Sequence, residues 1–286
     1  MDEDAASSLE SYLLLILSDS NLPTGGFIAS AGLESYYSHG FMTHQHADFI
    51  TPTLTFVEHT LLNYSTAVVP YMQAAYLLTQ SYLHKHHDLD TTLTALARLD
   101  WHHHTLLLNH VARRASMIQG MALLSLYMRS FSETNAVYAD ASQALMEQLR
   151  KGIRRGGAQL QGGALSLSPP ALAGHLPTCI GAFSCCIGLS MERMVHLNLF
   201  LQARNLMSCS IRLNTLGPYM SHQLLARPLR GMVEQCMKTT SRLAADKLYT
   251  QSLPPKAPTT ATTPHAAWDD WDWDDEEPDA GDIDTS

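Results

Sequence analysis

The chain has 286 residues and 45% hydrophobic content, enough for one large soluble domain or two small ones. Its formal net charge of −9 is concentrated in one place: residues 268–286 hold ten Asp or Glu and no Lys or Arg, and without them 17 acidic groups face 18 basic ones. The body is therefore close to neutral and gives no electrostatic footprint for nucleic acid.

Five cysteines (Cys179, Cys185, Cys186, Cys209 and Cys236) are odd in number and form no Cys-x-x-Cys pair, so no disulfide or zinc framework is expected and a reducing compartment fits. The acidic start Met1-Asp2-Glu3-Asp4 is unlike a signal or transit peptide. The longest apolar run, around Cys179–Met191, is too short to span a bilayer and closes on Glu192-Arg193. A soluble, cytoplasmic protein with no membrane partner is expected.

Ser7-Ser8-Leu9-Glu10 has the form of a capping box. Leu9, Tyr12, Leu13, Ile16 and Leu17 then recur as one apolar stripe of a helix that Asp19 and Asn21 end. Pro23, Gly25 and Gly26 follow, and their restricted and permissive backbones predict one short corner. Beyond it a second helical pattern contains Gly32, which predicts close backbone approach by a neighbour. That helix should stop at Gly40, a natural residue just past a helix end.

Further helices are predicted within 48–63, starting near Pro52, over Val69–Leu83 with Pro70 in its first turn, and over Leu89–Leu99. Residues 101–128 read as one long helical pattern. The glycine-rich stretch 151–174 offers few large apolar groups and predicts a flexible insertion. From His175 the chain is strongly apolar again, until the Pro/Thr-rich linker 254–264 and the tail Trp268-Asp-Asp-Trp271-Asp-Trp273. No period-two run enriched in Val, Ile and aromatics occurs. The expected architecture is all-α: one bundle of roughly eight to ten helices over residues 1–253, with a disordered acidic tail over 254–286.

Three blocks carry a resemblance. The first is Leu17-Ser18, Ser20, Leu22-Pro23, Gly25, Phe27 and Gly32-Leu33-Glu34; the second is Arg113-Arg114-Ala115-Ser116, Gln119-Gly120 and Leu123-Leu124. The third comprises His175-x-Pro177 with Gly181 and Gly188, then Arg212-Leu213-x-x-Leu216-Gly217-Pro218 with Gln223-Leu224-Leu225. In this order they resemble the UreF family of urease accessory proteins. The first block departs from the family at Ile28, Ala29 and Ala31, where polar residues are usual. The resemblance implies a non-enzymatic protein that dimerises through helices and binds a UreD/UreH-type scaffold. It would recruit the GTPase UreG so that nickel reaches apo-urease, with no stably bound cofactor of its own.

Arg212 sits in an apolar stretch and is either a snorkelling surface group or an interface charge. With Leu213, Gln223, Glu34 and Tyr36 it forms the expected partner-binding set; Pro23, Gly25, Gly26, Gly32, Gly217 and Pro218 form the expected turn framework. Seven of the fifteen histidines fall within residues 84–110. His102, His103, His104 and His110 are the metal candidates, since imidazole suits nickel, and a His-rich nickel or zinc buffer is the alternative function. Adjacent residues of a helix point about 100° apart, so His102, His103 and His104 cannot share one ion. His103 and His110, two turns apart on the expected long helix, could share a metal only with another chain, and a solvated His-rich surface is the simpler expectation. No catalytic constellation or phosphate loop is present in the sequence.

Overall fold

The computed structural model describes residues 3–22, 30–42, 49–161, 172–240 and 242–255. Among these residues all regular structure is helical: α1 (Glu3–Leu17), α2 (Leu33–Ser38), α3 (Ile50–Ala67), α4 (Val69–Leu83), α5 (Leu89–Leu106), α6 (His110–Leu126), α7 (Ala139–Gln161), α8 (Leu176–Cys186), α9 (Met191–Arg212), α10 (Pro218–Ala226), α11 (Pro228–Thr239) and α12 (Arg242–Ser252). The expected all-α architecture is observed. The acidic Trp-containing tail and the corner residues Pro23, Gly25 and Gly26 lie outside the described residues.

The bundle is organised around α4 and α8. Neither contains an Asp, Glu, Lys or Arg, and both are buried on nearly every side, as expected for helices apolar all round. Their crossing is close because Gly181 has no side chain: a Cβ there would lie 2.3 Å from the Met72 carbonyl oxygen and 2.7 Å from the Ala75 Cβ. Around this pair α5 and α12 pack on α4, α6 on α8, and α9 on α3, α10 and α11. A π-helical turn, Tyr127–Phe131, extends α6 and sets both aromatic rings edge-on to Phe183, with centroids 6.1 and 5.5 Å away. All five cysteines are free and buried among these helices.

Several expectations are corrected. The first helix starts at Glu3, so Ser7 lies inside it and makes no cap. Glu10 instead reaches α9, where its carboxylate accepts the Ser190 backbone N–H at 2.7 Å and pairs with Arg193 at 3.1 Å. The pattern over 101–128 is two helices. Leu107 and Leu108 leave the helical path, and Asn109 restarts it by accepting the N–H groups of Val111 and Ala112 at 2.9 and 3.2 Å. Apolar periodicity ran through a two-residue break without a change of phase that would expose it. The expected insertion at 151–174 is helical as far as Gln161, with Ile153 buried. Gly156 passes against the backbone of Leu172, so its glycine serves close packing rather than flexibility.

Gly32 shows a different reason for glycine from the one expected. It precedes α2 with φ +94°, while a Cβ would meet only Phe56 at an ordinary 3.7 Å. The left-handed backbone, not a close neighbour, requires glycine there. The expected stop is observed: α2 ends at Ser38 and Gly40 has φ +78°.

Candidate functional site

The second block and the start of the third meet where α5, α6 and α8 converge. Asp100, fully buried on α5, accepts the backbone N–H groups of Ala173 and Gly174 at 2.7 and 2.8 Å, and that of His175 at 2.8 Å. One carboxylate thus satisfies the strand of chain that leads into α8. Ser116 accepts the Leu176 N–H at 3.1 Å, supplying an orphan donor of the first turn of α8 with a partner. Arg113 donates through Nε and Nη2 to the Leu107 carbonyl and closes the α5–α6 corner. At Gly120 a Cβ would fall 2.2 Å from the Gly174 carbonyl oxygen and 2.9 Å from the Cys179 Sγ. The motif Arg113-x-x-Ser116-x-x-x-Gly120 is therefore the cradle for the start of α8.

The histidines occupy the same junction. His103 and His175 are buried, their rings 5.3 Å apart and edge to face; His104 Nδ1 and His175 Nε2 are hydrogen-bonded at 2.9 Å. His104 also stacks on Trp101 at 5.2 Å. The Nδ1 atoms of His103 and His175 are buried with no hydrogen-bond partner among the described residues. Burial holds both rings neutral and pushes His103 and His175 down to about 4, the neighbouring imidazoles adding to it; Arg113 adds for His175, and Asp100 opposes it for His103. His104 is shifted down for the same reason, by burial first and then by Arg113. Burial raises Asp100, against its three backbone donors.

The expected solvated His-rich surface is corrected at His103 and His104. His84, His86, His102 and His110 are exposed, His102 bonding Tyr71 Oη at 3.0 Å, while His103 and His104 are part of the packing. His103 and His110 stand on different helices, so they do not form a two-turn pair. Among the described residues no group of three or more His, Cys, Asp or Glu is placed to hold a metal ion. Sequence reasoning missed Asp100 and its partner segment. The available signal was its helical register: Asp100 falls four residues after Leu96 and three before His103, on the buried side of α5.

Of the expected partner-binding residues, Arg212, Leu213 and Gln223 lie where α9 turns into α10, and Glu34 and Tyr36 lie on α2, which packs on α9. Asn214 at φ +56° and the Thr215 N–H on the Ser210 carbonyl at 3.1 Å end α9. Gly217 and Pro218 then begin α10; Gly217 has φ −72° and open space around it, so only Pro218, in the first turn, has a conformational reason. Arg212 is exposed and donates to Ser208 Oγ at 2.8 Å. Its charge favours the Cys209 thiolate while Glu34, exposed on α2, disfavours it, and burial leaves that thiol raised. The structure thus packs α2, which carries Glu34, on α9, which ends at Arg212. Leu213 is half-buried against the core, and Gln223 is exposed on α10 beside the fully open Tyr219. Tyr36 is half-buried, stacked on Phe41 at 5.2 Å and tilted on Phe56 at 5.0 Å.

Comparison with known proteins agrees with this arrangement. A sequence profile of the UreF family matches residues 53–228. The chain is 31% identical over 258 residues to urease accessory protein 6 of Cryptococcus neoformans var. grubii, covering 80% of this chain and 79% of that protein. It is 30% identical over 240 residues to an uncharacterized urease accessory protein UreF-like of Schizosaccharomyces pombe, covering 83% and 85%. Urease accessory protein F of Arabidopsis thaliana is 27% identical over 213 residues, covering 74% and 72%. With the profile matching residues 53–228 and a relative 31% identical over 80% of the chain, the chain belongs to the UreF family of urease accessory proteins.

Proposed function

We propose that this protein acts in urease maturation as an adaptor, bridging a UreD/UreH-type scaffold and the GTPase UreG so that nickel enters the apo-urease active site. Nickel is cargo of the complex in this reading, and the protein works by binding rather than by chemistry. It does so in the cytoplasm, as a homodimer within the complex. An adaptor favours one arrangement of its partners through differential affinity, and needs exposed recognition groups on a rigid frame.

The observation that carries the reading is the α9–α10 end. Arg212 and Gln223 are exposed there with Tyr219, which is 91% exposed, and Glu34 is exposed on α2, which packs on α9. Arg and Tyr are the residue types that most often anchor interfaces. The test is urease activity and urease nickel content in a host strain whose gene carries Arg212→Asp. Both should fall to the level of a gene deletion while the variant protein accumulates normally; wild-type activity would overturn the proposal. The alternative of a His-rich metal buffer is not favoured, because His103 and His104 are committed to packing against α8.

A further inference from the structure

The outer face of α6 is not explained by the fold. Its inner face carries Arg113, Ser116, Gly120, Leu123 and Leu124, all engaged with the α5–α6 corner, α8 or the core. A surface helix should be polar on the opposite side. Here that side bears Val111, Ala115, Ile118, Ala122 and Ser125, with Leu108 one step before the helix. Leu108 is 89% exposed, Val111 63% and Ile118 58%, and Leu106 adds a further open side chain at the corner. The spacing from Leu108 to Ser125 alternates three and four, the seam of a helix that packs lengthwise on another helix. Small residues at Ala115 and Ala122 would let that second backbone approach closely.

The charge around the seam is one-sided. From His110 to Phe131 there is no Asp or Glu, and Arg114 is exposed at the seam's edge. The helix α7, which packs beside α6, has Asp140 and a Lys151-paired Glu147 in its first half and exposed Arg154 and Arg155 beyond them, so the one-sided charge is that of α6 itself. Two copies of α6 laid together would bring only basic and neutral groups to the contact. A helix with acidic flanks would complement it.

We infer that the outer face of α6 is a docking surface for an amphipathic helix with acidic flanks, contributed by a different polypeptide. This deepens the adaptor reading and rests on it for the identity of the partner, not for the chemistry of the contact. The seam centres on Val111 and Ile118, with Arg114 steering and orienting the incoming helix.

The test places a photoreactive phenylalanine analogue at Ile118 of the full-length chain in its native host, with a control at Leu243, exposed on α12. Cross-linked peptides are sequenced by mass spectrometry. The expected adduct lies on a helix of another polypeptide in which Asp and Glu flanking the apolar seam outnumber Lys and Arg, and Leu243 does not capture it. Arg114→Glu should reduce its yield about fivefold with an unchanged thermal midpoint. An adduct on a second copy of this chain, an adduct on a segment without acidic excess, no adduct, or a yield indifferent to Arg114→Glu each overturns the inference. An acidic helix from a protein outside urease maturation would support the docking surface while removing the adaptor reading.

Discussion

At the junction of α5, α6 and α8, family-signature residues turn inward: Arg113 to a carbonyl, Ser116 to an amide, Gly120 against a peptide group, with Asp100 beneath them holding three N–H groups. At the α9–α10 end the signature residues Arg212 and Gln223 turn outward, and aromatic Tyr219 stands in solvent. A motif residue in the first region is explained by packing alone. In the second it stands at the surface, where the proposed function gives it a part in recognition. The comparison teaches that a family signature is not a single kind of evidence. Its inward half reports how the frame is fixed, and its outward half lies at the surface, where the proposed function is tested.

The largest expected effect is on the inward side. Asp100→Ala strands three buried N–H groups and should destabilise the protein by about 4 kcal/mol. Chemical denaturation would show this as a lower midpoint, and a change under about 1 kcal/mol would break the contrast. Gly120→Ala comes next, since its Cβ would sit 2.2 Å from a carbonyl oxygen that belongs to backbone; a loss of about 3 kcal/mol is expected by the same measurement.

Acid sensitivity sharpens the comparison further. His103 and His175 are lowered to about 4 in the folded protein, against an ordinary value near 6.5 in the unfolded chain. The unfolded state therefore binds more protons between those values. Their contribution to stability is present above about pH 6.5 and is lost as pH falls towards 4. Asp100 is raised and acts in the opposite direction. The readout is accordingly the difference between wild type and His103→Gln/His175→Gln, whose stability should fall less steeply over that range. Equal slopes would show that the two rings do not carry the effect.

The smallest expected effect on stability belongs to the outward side. Arg212→Ala and Tyr219→Ala should each shift unfolding by no more than about 0.5 kcal/mol. Both should nevertheless depress urease activation in the host. A stability loss as large as that of Gly120→Ala would place these residues with the frame instead.

Much of the frame was legible in the sequence because long apolar repeats leave few alternatives. Helix α4 runs over the predicted Val69–Leu83, and α2 stops where Gly40 allows it. The break at Leu107–Asn109 was not legible, because Asn109 restarts a helix with side-chain oxygen alone and apolar residues flank it on both sides. Nor was the helix through Gly152 and Gly156: the sequence shows missing side chains, but only the fold shows Leu172 lying where they would be. The histidine run misled for a related reason. Composition marks it as polar, whereas its partners, Asp100 and His175, come from register and from a segment more than 70 residues away. The packing of α2 on α9 was invisible for the same reason, since nothing local links them.

The link between Glu10 and α9 has a practical consequence. Ser190 makes no side-chain cap for α9, and the carboxylate that serves its backbone N–H comes from 180 residues earlier in the chain. Shortening the amino terminus past that carboxylate would do more than trim a surface: it would leave the Ser190 N–H at the start of α9 without its acceptor and Arg193 without its counter-ion. Deletions that reach Glu10 are therefore better avoided, and that carboxylate belongs to the architecture as fully as any interior residue.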